Sequence, residues 1–206
     1  MTPLALTLAV LLVPVANLLA PVANFLVPWS TAGLPSAPQP AQANPIGTAV
    51  LAFKQRVADY VKVHNEAESK VPKLTETSDP AKVHDREAAL GAMIKSLRTG
   101  VKEGSVFGTD FRAVLEREVR KDFRSRSAAD RKALIHELPA KMTIAVNTTY
   151  PTELPLATFP AKLLAKLPDL PPELEYRIVG HHIVLRDVTA NIVVDVARNI
   201  VPTIPS

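Results

Sequence analysis

No ionisable side chain occurs before Lys54, and all 24 Lys+Arg and all 20 Asp+Glu of this 206-residue chain lie from that residue onward. A globular domain needs charged and polar groups on its solvated face, and the opening segment has almost none to offer. The charge step therefore divides an apolar leader from a charged, foldable body, and it marks an exported protein of bacterial type. Without the leader about 160 residues remain, one ordinary domain able to bury a real core. There is no cysteine. Disulfides, thiolate metal sites and cysteine nucleophiles are thereby excluded, and packing alone must hold the body together.

Residues 4–29 are almost wholly apolar and long enough to cross a hydrocarbon core of about 30 Å as a helix. Pro14, Pro21 and Pro28 recur at a spacing of seven within a short repeat, VPVANLL followed by APVANFL. Each would break a helical hydrogen bond. Residues 4–13 alone form an unbroken apolar run with the length of a signal-peptide core. A Pro/Ala/Ser-rich linker, TAGLPSAPQPAQANP, follows, and in it Ala41-Gln42-Ala43 has the small-x-small form of a signal-peptidase site. Residues 1–43 are thus expected to be a cleaved signal peptide with its linker, giving a periplasmic or extracellular protein that begins at Asn44. No Lys or Arg precedes the apolar core, and 43 residues is long for a signal; a start downstream of Met1 would account for both. The alternative is a membrane-anchored protein, held by residues 4–29.

Beyond the linker the pattern is helical. Ile46, Val50, Phe53, Val57, Tyr60, His64, Ala67 and Val71 alternate steps of four and three, an apolar stripe of about seven turns that Pro72 stops. SDPAK opens a second helix, with Ser78 or Asp79 as N-cap and Pro80 in the first turn. Val83, Leu90, Met93, Ile94 and Leu97 face inward, and Gly100 closes it. After a loop, EGSVFGTDF, Thr109 is expected to cap a third helix that turns Phe111, Val114, Leu115, Val119 and Phe123 to one face. Residues 127–138 form a fourth, ended by Pro139.

The period then changes. Residues 142–146 read as a short strand and residues 160–167 as a two-turn helix. Residues 176–179 and 183–186 flank a hairpin turn, Gly180-His181-His182, and residues 192–196 supply the last strand. The expected fold class is α+β: a helical hairpin and two further helices over residues 44–139, with a small antiparallel sheet and one short helix over residues 140–206 packed on them.

Net charge is +4, and the excess sits on residues 112–132, which hold eight basic and four acidic groups. Arg117, Arg120, Lys121 and Arg124 form a candidate patch for anions or anionic lipid, against the plainer reading of a solvated helix face with Glu116 and Glu118 interleaved. No aromatic platform accompanies them, so no nucleic-acid partner is expected.

Residues 167–196, LPDLPPELEYRIVGHHIVLRDVTANIVVDV, combine a Leu/Pro-rich lead-in, Tyr-Arg-x-x-Gly, an apolar strand, Asp, a turn and Ile-Val-x-Asp-Val. This run resembles the C-terminal hairpin module of small periplasmic bacterial proteins, among them the RcnB-type nickel and cobalt homeostasis proteins and several families of unknown function. The resemblance implies an envelope location and makes a divalent transition metal the candidate cofactor. His181 and His182, the adjacent pair at the hairpin tip, are the candidate ligands. Neighbours on a strand point to opposite faces, so one shared ion needs the turn to break that alternation, and a third ligand must come from elsewhere, with His84 and Asp187 as candidates.

Other chemistry leaves little trace. There is no phosphate-binding Gly loop, no Gly-x-Ser-x-Gly, no His-Glu-x-x-His and no EF-hand. His64 lies on the first helix's apolar stripe and reads as a core histidine, His84 as a surface residue, and His136 as a favourable charge at a helix end. Glu173, Glu175, Asp187 and Asp195 could contain an acid/base pair, but their spacing selects no two; Asp187 and Asp195 read more simply as turn and strand-end residues. Three functions follow in order: a non-catalytic envelope protein that is structural or binds a protein partner or envelope component, a periplasmic metal-binding accessory protein, and a hydrolase with dispersed residues.

Overall fold

A computed structural model describes residues 44–75, 78–136, 144–151 and 159–203. The leader, including the proposed cleavage site and the alternative anchor, lies outside these residues. Among the described residues no helix is long and apolar enough to cross a membrane.

Asn44 opens the first helix. Its side chain accepts from the Ile46 amide at 3.1 Å, Pro45 occupies the first helical position, and α1 runs Pro45–Lys70. Phe53, Val57, Tyr60, His64 and Ala67 are buried on one face as the stripe requires, while Ile46 at its start is 39% exposed. Asp79 caps α2, Pro80–Leu97. Leu90 and Ile94 are fully buried, but Val83 is 46% exposed, contrary to expectation, because burial on α2 begins only at Leu90 and its first turns overhang the core. Gly91 is where α2 meets the sheet: a Cβ there would lie 2.9 Å from the Ala190 carbonyl oxygen.

Helix α3, Gly108–Ser125, buries all five residues of its expected face. Its start differs from expectation. The helix begins one residue before Thr109, and no local side chain caps it. Helix α4 is Ala128–His136, with the Ser127 hydroxyl accepting from the Asp130 amide, and α5 is the single turn Ala161–Leu164.

Strands β1, Leu174–Val179, β2, His182–Asp187, and β3, Ile192–Ala197, form one antiparallel sheet in that order. The β1–β2 turn has two residues rather than three. Val179 pairs with His182, so His182 belongs to β2, and Gly180 at φ 57° takes the first central position, as a type II′ turn requires. The expected strand at residues 142–146 falls partly outside the described residues, and residues 144–146 are not strand. Asn147, at φ 61°, turns the chain there, and the following segment lies along β3 through one bridge, Thr149 to Ile192.

Both sheet faces are covered. Ile178, Ile183, Leu185, Ile192 and Val194 join the helical core, and Val179, Val184, Val193 and Val196 pack with Ile144 and Tyr150 on the other side. Phe53 is the hinge of the main core. Its ring stacks on Phe111 at 4.0 Å between centroids, with Phe107 and Tyr176 at 6.0 and 6.4 Å. Full burial of one such ring is worth about 1.5–3 kcal/mol. The α+β class is as expected.

One irregularity positions the polar groups. Leu185 pairs with Asp195 but Arg186 pairs with Val193, so Val194 is an extra residue in β3. Strict alternation would turn Asp195 away from the helices. The bulge reverses it and aims the carboxylate at the loop between α2 and α3.

Candidate functional site

Tyr60, His64, Arg98, Asp187 and Asp195, all buried, form two linked clusters. In the first, α1 supplies Tyr60 and His64 one turn apart, and β2 ends on Asp187, which has no solvent exposure. The Tyr60 hydroxyl donates to Asp187 Oδ2 at 2.7 Å, and His64 Nδ1 lies 2.6 Å from the same oxygen. The other carboxylate oxygen accepts from the Thr189 and Ala190 amides, closing the β2–β3 turn. The bond from Asp187 holds the His64 imidazole above its usual titration range, outweighing the opposing effect of burial. Burial, and then the Asp187 charge, push the Tyr60 phenol far above its ordinary value.

In the second cluster Asp195, also without exposure, accepts from the amides of Gly104, Val106, Phe107 and its own neighbour Val196, all at 2.7–2.8 Å. Two of these donors, Val106 and Phe107, lie in the turn just before α3, so Asp195 anchors the approach to the helix from β3, while Thr109, expected as its cap, lies inside the helix. Arg56 on α1 holds the same loop from the opposite side, donating to the Val106 and Phe107 carbonyls and pairing with Asp110. Arg98 joins the clusters. Its guanidinium lies 5.0 Å above the Tyr60 ring and donates to the Val194 carbonyl, Asn147 Oδ1 and Ser105 Oγ. Burial lowers its pKa.

A cleft of about 490 Å³ opens beside these groups, bordered by Asp59, Tyr60, Arg98, Gly100 and Val101. Tyr60 and Arg98 direct their polar atoms inward, and Asp59 is engaged by Lys62 and Gln55. The arrangement ties α1, the α2–α3 loop, the end of β2 and the bulged part of β3 together, and among the described residues it places no activated nucleophile at the cleft.

No family model matches the chain, and neither a curated protein nor a solved structure does. Function must therefore be argued from geometry.

The remaining candidates separate. His181 Nδ1 donates to the Val201 carbonyl at 3.0 Å, while His182 Nδ1 accepts from the Asn199 amide at 3.0 Å. In their neutral forms the free lone pair is then on Nε2 of His181, whereas Nε2 of His182 carries the proton. The pair fastens residues 199–201 to the hairpin. Burial, and then Arg198, depress the His182 pKa. Asp187 sits five residues along β2 from His182, about 16 Å at the strand rise, and is engaged by four donors. His84 is exposed on α2. Among the described residues no three His, Asp or Glu come together as a metal site.

Glu175 accepts from Arg177 and Arg186; burial raises its pKa, and these bonds outweigh that and hold it low. Of the basic patch, Arg117 pairs with Glu118 and Arg120 with Glu116, while Lys121 and Arg124 have no ion-pair partner among the described residues. The structure brings Arg120 and Arg124 together with Arg131, which belongs to the same basic segment but not to the four-residue patch, around a recess of about 440 Å³ beside Ile200 and Pro202. Their i,i+4 spacing signals the first pair, whereas Arg131 comes from α4.

Proposed function

We propose that this chain is an exported, non-catalytic envelope protein whose body contacts anionic lipid headgroups through the recess bordered by Arg120, Arg124 and Arg131. Export is supported by the position of Asn44. The residue following Ala41-Gln42-Ala43 is the N-cap of α1, so removal of the leader at that point would leave the first element of the body whole. A non-catalytic role is supported by Asp187 and Asp195, each fully buried and engaged by four donors within the fold.

The observation that carries the partner is the presence of three arginines around one recess, Arg120 of them paired with Glu116, with apolar Ile200 and Pro202 in its lining. Guanidinium groups bind phosphate oxygens with directed hydrogen bonds as well as charge. The test is sedimentation with vesicles of phosphatidylcholine, with and without phosphatidylglycerol, using protein from its own host whose N-terminus has been read by mass spectrometry. A chain beginning at Asn44 that binds only the anionic vesicles, less so as salt rises, and loses that binding in the R124Q/R131Q double variant, supports the proposal. Equal partition to both vesicle types, or indifference to the double variant, overturns it.

A further inference from the structure

Three recesses elsewhere on the body are each lined by a carboxylate: Asp59 with Arg98, Asp122 and Asp130 with Arg126, and Glu68 with Arg86. The recess between α3, α4 and the chain that follows β3 is lined by none. Of its three arginines, Arg120 is paired with Glu116 one turn away. The side chains of Arg124 and Arg131 have no ion-pair or hydrogen-bond partner among the described residues, and both reach solvent, Arg124 being exposed and Arg131 half-buried. Two positive charges are thus left unmatched within one lining. The Asn199 amide group and the Thr203 hydroxyl line the same recess and likewise make no side-chain hydrogen bond among the described residues.

These groups discriminate between two kinds of phosphate. A phosphodiester carries a single negative charge and offers one pair of non-bridging oxygens. A phosphomonoester carries a charge of about −1.5 to −2 at pH 7 and presents three terminal oxygens. Each guanidinium is a rigid fork that spans two acceptors at once. Two forks reaching in from different helices can both be filled by the three oxygens of a monoester, with one oxygen shared. A diester fills one fork and leaves the second on a weakly accepting ester oxygen. Charge argues the same way, since two unmatched cations are neutralised by a dianion and only half met by a monoanion.

We propose that this recess selects the terminal phosphate of a phosphomonoester, presented by a lipid headgroup, over a phosphodiester, with Arg124 and Arg131 each forked across two of its oxygens. This selectivity rests on the lipid contact proposed above and refines its chemistry.

Sedimentation with vesicles of phosphatidylcholine containing either phosphatidate or phosphatidylglycerol, at proportions that give equal zeta potential, tests it with the chain prepared from its own host. Phosphatidate vesicles should be bound about five- to tenfold more tightly. The variant R124Q/R131Q should abolish the preference. R124K/R131K keeps both charges without the forks, so it should still bind both kinds of vesicle and lose most of the preference. Equal binding of the two by the unaltered chain, or a preference kept in R124K/R131K, overturns the selectivity and leaves the lipid contact standing. If neither vesicle is bound, the lipid contact itself fails, and calorimetry with glycerol 3-phosphate and with the diester glycerophosphoglycerol decides the selectivity alone. Binding of the monoester only, lost in R124Q/R131Q, then keeps the recess as a site for a soluble phosphate; binding of both, or of neither, overturns it.

Discussion

Replacing Asp195 with alanine should be among the most damaging single changes the body can suffer, although the residue touches no cleft. The substitution removes the acceptor for four amides, of which those of Val106, Phe107 and the adjacent Val196 are buried and that of Gly104 is partly buried. An orphaned buried donor costs about 1–3 kcal/mol, and three sharing one carboxylate are not independent, so a loss of roughly 3–6 kcal/mol is expected. That is a large part of the 5–15 kcal/mol typical of a domain. With a urea m-value of about 2 kcal/mol per molar, the midpoint should fall by roughly 1.5–3 M. Asp195→Asn retains one carbonyl oxygen but turns an NH2 toward donors, so it should recover less than half of the loss. The assay is urea unfolding followed by circular dichroism, with m compared between variants. A midpoint shift below about 0.5 M for Asp195→Ala at unchanged m would refute the assignment of Asp195 as the anchor of the loop that leads into α3.

The other predictions concern separate parts of the fold. The folded-state pKa of His64 is raised, so the stability it contributes is fully present below its unfolded value of about 6.5 and lost as pH rises through the folded value. Unfolding free energy should therefore decline with rising pH in the wild type and decline less in His64→Gln, as read from urea midpoints between about pH 6 and pH 9. Gly91→Ala should destabilise by about 1–3 kcal/mol, since its Cβ meets backbone at the Ala190 carbonyl rather than a side chain that can move; calorimetric melting checks this. Arg98→Met should cost about 2–4 kcal/mol by leaving Asn147 and the Val194 carbonyl without their donor, with amide exchange rising first over residues 101–107.

How much was legible in the sequence follows from the range of the forces involved. The stripe on α1, the Asp79 cap, the five-residue face of α3 and the sheet hairpins are set by neighbours within a few positions, and period and turn chemistry reveal them. Val83 is different. Its spacing is helical and correct, but whether a helix's first turns overhang the core depends on the placement of the sheet. Tertiary pairing likewise decides how the chain enters α3: a serine or threonine before a helix is a local signal, whereas the β3 carboxylate that anchors residues 104–107 is visible only after the bulge at Val194 has rotated it. The polar network was half readable. His64 on an apolar stripe suggested a buried histidine, but nothing near it in the chain named Asp187 as its partner. The basic recess shows the same division, since Arg120 and Arg124 share a helix face and Arg131 joins them only through the fold.

The contacts of Asp195 also order events in time. Its bonds to Gly104, Val106 and Phe107 span 88 to 91 residues, and those of Asp187 to Tyr60 and His64 span 127 and 123. Hairpins and helices close locally and fast, but contacts of such separation come late. During synthesis the helices emerge first, with the turn before α3 unanchored and Asp187 not yet there to pair with His64. A chain of this design completes its packing only once the last strand has been made, so its final shape waits on the end of synthesis.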